Sequence, residues 1–205
     1  MIQTSELWFA RADRLGDPFE GSFSAASLQD LKDWHPSATE VRLRSSDDWR
    51  QQCLVNCWHQ NDDESVAMWN RYGDQAEVAA IRSTFDRLKG AIKESQQEIY
   101  VGQVQYIDYQ TESISDANAF DPLLHKRRAF DYEREVRAIA VIPRRLQFPA
   151  PEGLGFPVTL AVLVEAIYVA PAIADDAVDR LRTALDERGL QLPLRASALD
   201  AKPRF

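Results

Sequence analysis

Cysteine is nearly absent: Cys53 and Cys57 are the only two in 205 residues, too few for a disulfide framework. On an extended strand they would stand ~13 Å apart, too far for a disulfide or for one shared zinc ion. Histidine is also sparse, and His35, His59 and His125 have no ligand-like spacing, so no metal is expected. A basic tract is missing too. Lys plus Arg is 24 against 32 for Asp plus Glu, and the net charge of −8 argues against sequence-independent nucleic-acid binding as the main task, while leaving nucleic acid open as an acceptor. No apolar run is long enough for a bilayer: the longest, Leu160 to Ala172, is interrupted by Glu165 and ended by Pro171. Met1 to Glu6 has neither the basic nor the apolar part of a secretory leader, and with two cysteines the expected compartment is the cytoplasm. A glycine-rich dinucleotide fingerprint, a Walker loop and a serine-hydrolase elbow are all absent, as are internal repeats.

What is present is an ordinary globular composition, 45% apolar and 27% charged, in a length that suits a single domain over residues 1–205. Leu7 to Ala10 reads as a strand, followed by a turn-rich loop through Gly16-Asp17-Pro18-Phe19-Glu20-Gly21. A short helix is expected over Ser27 to Trp34, a central strand over Cys53 to His59, and a helix over Glu64 to Tyr72 closed by Gly73. Glu77 to Arg82 reads as a strand, Ser83 to Ile92 as a capped helix, and Ile99 to Tyr109 as one long strand. Asp121-Pro122 predicts a helix to about Phe130. Glu133 to Val141 then forms a strand, Pro143 to Pro157 a surface loop, Ala166 to Ala170 a strand, and Asp175 to Arg188 a helix ended by Gly189. Strands and helices mix without a regular crossover rhythm, so the expected class is α+β with a largely antiparallel sheet and flanking helices.

Three places could carry chemistry. Strand alternation puts Glu133, Glu135 and Arg137 on one face at ~6.6 Å intervals, either as a solvated ion-paired face or as the floor of a pocket that stabilises developing positive charge. Arg11 and Arg14 flank the apolar first strand ahead of the turn-rich loop, where a guanidinium could grip a pyrophosphate or merely pair with Asp13, Asp17 or Glu20. Trp58 and His59 end the central strand just before Glu64, Trp69 and Tyr72, a density of rings that suits either stacking on a planar ligand or core packing. The basic run His125, Lys126, Arg127 and Arg128 is locally unusual in an acidic chain. On a helix Lys126 would reach over the acid strand toward an anionic ligand.

The segments Leu7 to Gly21, Asn56 to His59 with Glu64, Ser65, Met68 and Trp69, and Lys126 with Phe130 to Arg137 together resemble a widespread bacterial family of domains of unknown function. Their order is also similar to that of the ADP-ribosyltransferase superfamily, although Asn56-Cys57-Trp58 stands where that superfamily often has Ser-Thr-Ser. The resemblance implies NAD as a substrate, with Arg11 gripping it and Lys126 as a second cation. Trp58 or Tyr132 would stack on the nicotinamide, Glu135 would be the catalytic acid, and Glu133 would orient a macromolecular acceptor. Arg14 and His59 would line the same pocket. Such chemistry would fit a toxin or an anti-phage effector. The competing expectation, carried by the missing Ser-Thr-Ser, is a non-catalytic ligand-binding or protein-interaction domain.

Overall fold

The computed structural model describes all residues except 73–78, 94, 96, 116, 143–150, 172 and 204–205. In chain order the first elements are β1 (Glu6–Arg11), α1 (Ala25–Trp34), α2 (Thr39–Gln52), β2 (Cys53–His59), α3 (Val66–Tyr72), β3 (Ala79–Arg82) and α4 (Phe85–Ile92). They are followed by β4 (Ile99–Gln103), β5 (Gln105–Ile107), β6 (His125–Arg127) and β7 (Glu135–Val141). The chain closes with β8 (Gly153–Pro157), α5 (Leu160–Leu163), β9 (Ala166–Val169), α6 (Asp175–Asp186) and β10 (Leu194–Ala196). The class is α+β. β2 lies between β1 and β7, and both pairings, like that of β4 with β7, are antiparallel.

The residues fall into two compact units: one comprises Trp8–Gln60 with Gln97–Gly155, and the other Met1–Leu7, Asn61–Gln96 and Phe156–Phe205. The first is organised by the five-stranded sheet β4-β7-β2-β1-β8 and by a two-stranded parallel ladder of β5 with β6. β2 carries buried residues at Cys53, Leu54 and Val55, as a central strand covered on both faces must. Cys53, Val55 and Ile139 on one face pack with Ala12 and Leu123 into an apolar core, against which Trp49, Phe120 and Leu124 lie. On that same face the β2–β7 register continues Val55↔Ile139, Cys57↔Arg137, His59↔Glu135, so the sheet surface passes from apolar to charged within four residues.

Gly21 closes the loop before α1 at φ 75, and a Cβ there would come within 2.9 Å of both Arg50 and Leu123 side-chain carbons. Both the backbone conformation and the space demand glycine. Gly21→Ala is expected to lower unfolding free energy by about 1–3 kcal/mol, read by urea denaturation; an unchanged midpoint would show that the loop relaxes freely.

The second unit holds the three-stranded sheet β10-β9-β3, in which β9 pairs parallel with β10 and antiparallel with β3. Ile167 and Val169 on β9, Leu88, Ala91 and Ile92 on α4, and Ala177 and Leu185 on α6 are buried in this unit. Thr84 caps α4 by accepting from the Arg87 amide at 3.2 Å, and Gly189 follows α6 at φ 62.

Several expectations change. α1 is capped by Ser24, whose hydroxyl accepts from Ser27, so Ser27 lies inside the helix. The expected long strand breaks at Val104 into β4 and β5. The Asp121-Pro122 start makes only a 3₁₀ turn to Leu124, and Lys126 sits on β6, not on a helix. A second 3₁₀ segment, Arg128–Glu133, follows, and Arg134 at φ 40 reverses the chain, so Glu133 precedes the strand that begins at Glu135. Gly153–Pro157 is a strand where a loop is expected, and 143–150 lie outside the described residues, as do Gly73 and the first two residues of the expected Glu77 strand. α3 has no fully buried residue, against its expected core packing.

Candidate functional site

Five charged side chains from four segments meet inside the first unit. Glu20 comes from the turn-rich loop, Lys126 from β6, Glu133 from the 3₁₀ segment, and Glu135 and Arg137 from β7; all five are at most 5% exposed. Lys126 Nζ donates to Glu133 Oε2 and to Glu135 Oε1, each at 2.5 Å, and lies 3.3 Å from Glu20 Oε1. Arg137 donates through Nε to Glu135 Oε2 at 2.7 Å, through one terminal nitrogen to the Leu123 carbonyl at 2.7 Å, and through the other to Glu20 Oε2. Charges this deep are tolerated only when paired and hydrogen-bonded, and Lys126 and Arg137 supply such bonds to both oxygens of Glu135 and to one oxygen each of Glu133 and Glu20.

Three acids face two bases here, so one acid is in excess. The imbalance falls on Glu133, where burial, reinforced by the Glu135 carboxylate, pushes the carboxyl up to about 7 against the pull of Lys126. Burial alone would raise Glu135 as well. There the hydrogen bond to Glu133 and the Arg137 guanidinium prevail and hold it well below the usual carboxylate range. Burial would likewise strip the proton from Lys126, but its bonds to the two glutamates hold it above its ordinary value.

Around this network, the Glu135 amide donates to the Tyr106 hydroxyl oxygen at 2.8 Å, and burial pushes that phenol up to about 12. His59 Nδ1 donates to the Glu133 carbonyl at 2.7 Å, while its Nε2 has no hydrogen-bond partner among the described residues. Arg127 extends the arrangement outward: it pairs with Asp17 at 2.9 Å, and its guanidinium lies 4.6 Å from the Phe19 ring centre and 5.4 Å from that of Phe130.

The structure thus brings together Glu133, Glu135, Lys126 and His59 and separates them from Arg11. β1 pairs Arg11 with Leu54, and β7 pairs Glu135 with His59. Leu54 and His59 are five residues apart on β2, so Arg11 and Glu135 point to opposite faces of the sheet, with ~17 Å of strand between their rows. Arg11 instead binds Asp13 through Nε at 2.6 Å. Arg14, half exposed, lies 3.3 Å from Glu152. Trp58, one residue off the His59 row, shares the Arg11 face, while Tyr132 is 38% exposed on the 3₁₀ segment. Lys126, expected to reach toward an external anion, is enclosed by carboxylates.

Sequence reading placed Glu20 only as a partner for a nearby arginine and passed over Tyr106. The signal for Glu20 is the Asp17-Pro18-Phe19-Glu20-Gly21 loop itself, where Asp17 and Glu20 are 3% and 2% exposed despite lying in a connection between elements. Among the described residues no group of His, Cys, Asp and Glu gathers as a metal site, and no helix is long and apolar enough to cross a membrane. Comparison with family models, curated proteins and solved structures finds no match for this chain.

Proposed function

We propose that this chain is a non-catalytic ligand-binding domain in which the Glu20, Lys126, Glu133, Glu135, Arg137 network is internal framework and not the reacting centre. One observation carries the reading: both oxygens of Glu135 already accept from Lys126 and Arg137, in a network whose members are almost wholly enclosed. A carboxylate so placed supports a fold, since a transferase would need that oxygen turned toward a ribose hydroxyl. The first unit also offers a place for a ligand. An open concavity of about 370 Å³ along α1 is lined by Phe23, Leu31, Trp34, Arg42 and Ile114, none of which belongs to the network.

ADP-ribosyl transfer from NAD to a macromolecular acceptor is the second reading, favoured by two observations: burial pushes the Glu133 carboxyl up to about 7, and His59 Nε2, in the row of Glu135, has no hydrogen-bond partner among the described residues. The two readings separate in one assay. Incubated with NAD and cell lysate, wild type and Glu135→Gln are both expected to release no nicotinamide above the buffer level. Release by wild type that Glu135→Gln abolishes would replace the binding reading with the transferase.

A further inference from the structure

We propose that the exposed face of the β10-β9-β3 sheet binds a phosphoryl group through Arg82, Tyr168 and Arg195. The proposal concerns the second unit alone and does not depend on the reading of the buried network. Arg195 stands directly across from Tyr168 in the β10–β9 ladder, and Tyr168 directly across from Ala80 in the β9–β3 ladder. Arg82, two residues from Ala80, therefore projects from the same face. Tyr168, on the central strand, stands between them. Arg195 donates to the Tyr168 hydroxyl at 3.2 Å, and its guanidinium together with that of Arg82 holds this phenol below its ordinary value.

Two guanidinium groups on one sheet face repel each other, and the carboxylates nearby act on Arg82 alone. Arg82 has Glu165 at 3.8 Å, beyond hydrogen-bond length, and the field of Asp62. Arg195 has no carboxylate partner among the described residues. The cross-strand neighbours on this face are alanines, Ala80 opposite Tyr168 and Ala166 opposite Arg82, which leave the surface between the two guanidiniums low. An anion with several oxygens would remove the repulsion, because each guanidinium presents a planar fork of N–H donors that fits two phosphoryl oxygens. The Tyr168 hydroxyl supplies one more donor. In a chain of net charge −8 this convergence of cations has to act locally, so binding should weaken steeply with salt.

Isothermal titration of the whole chain with inorganic phosphate near pH 7 tests the site. Wild type is expected to bind one phosphate. Arg82→Ala and Arg195→Ala should each weaken it about tenfold or more, and Tyr168→Phe about threefold. Arg180→Ala serves as a control, since Arg180 is exposed in the same unit and paired with Asp176 at 2.7 Å; it should leave binding unchanged. A nucleoside monophosphate that binds as phosphate does assigns the site to the free ion, and one that binds more tightly assigns it to a phosphorylated small molecule; either result supports the proposal. Absence of binding by wild type overturns it. So does binding unchanged in the Arg82→Ala/Arg195→Ala double variant with an unaltered thermal midpoint, or a nucleoside without phosphate binding as well as its monophosphate.

Discussion

Replacing Arg137 by methionine is expected to cost about 3–5 kcal/mol of unfolding free energy. The guanidinium is wholly buried and donates to Glu135, Glu20 and the Leu123 carbonyl, so its loss leaves two carboxylates and a backbone oxygen without their donor. The cost arises from those orphaned acceptors more than from the lost attraction, because a buried acceptor that has given up water and found nothing in return pays the full desolvation penalty. Urea denaturation should show the midpoint falling with the slope preserved. A loss below about 1 kcal/mol would mean that water reaches Glu20 and Glu135 once the guanidinium is gone, and that the network is less closed than its geometry.

The second large effect is on pH dependence. The Glu133 carboxyl is raised from 4.5 to about 7 in the folded chain, so the folded state binds this proton more tightly than the unfolded chain does. The resulting stability is fully present below about 4.5 and is lost as pH rises through 7. Glu135 is shifted the other way, and its contribution is present above the ordinary carboxylate range and lost in acid. Between pH 4.5 and 7 Glu133 therefore acts alone of the pair, and wild-type stability should fall across that window. Glu133→Gln keeps an acceptor for Lys126 and removes the excess charge. It should flatten that slope and be more stable than wild type at pH 8. A slope that survives the substitution would assign the titration to another group.

Much of the sheet was legible in the sequence because its signals are local. The β-rich run Cys53 to His59, the helix opened at Ser83-Thr84 and the Gly189 stop each act within a few residues, and each stands within a residue or two of its expected place. The failures have distant causes. Asp121-Pro122 is a good helix start. Yet Leu123 is fully buried in the core and its carbonyl is held by Arg137, while β6 finds a parallel partner in β5, so tertiary pairing overrides the local preference. α2 carries Glu40, Arg42, Arg44, Asp47 and Asp48 among few apolar positions, leaving no stripe to read.

At the site, the run from Lys126 to Arg137 announced its own clustering, since its members lie close in sequence. Glu20 joins Arg137 from 117 positions away, a contact no spacing rule reveals. Arg11 is lost to the cluster through register, because one step along a strand changes the face.

The central claim, that the network is framework, is tested most directly by a double-mutant cycle on Glu135 and Arg137, measured as urea unfolding of wild type, Glu135→Leu, Arg137→Met and the pair. Either single change leaves a buried charge without its partner, whereas the double change removes both together. The double variant is expected to lose less stability than the sum of the singles by about 2 kcal/mol or more. Losses that add to within about 0.5 kcal/mol would contradict it, and would show that the two side chains, though 2.7 Å apart, do not hold the fold through each other.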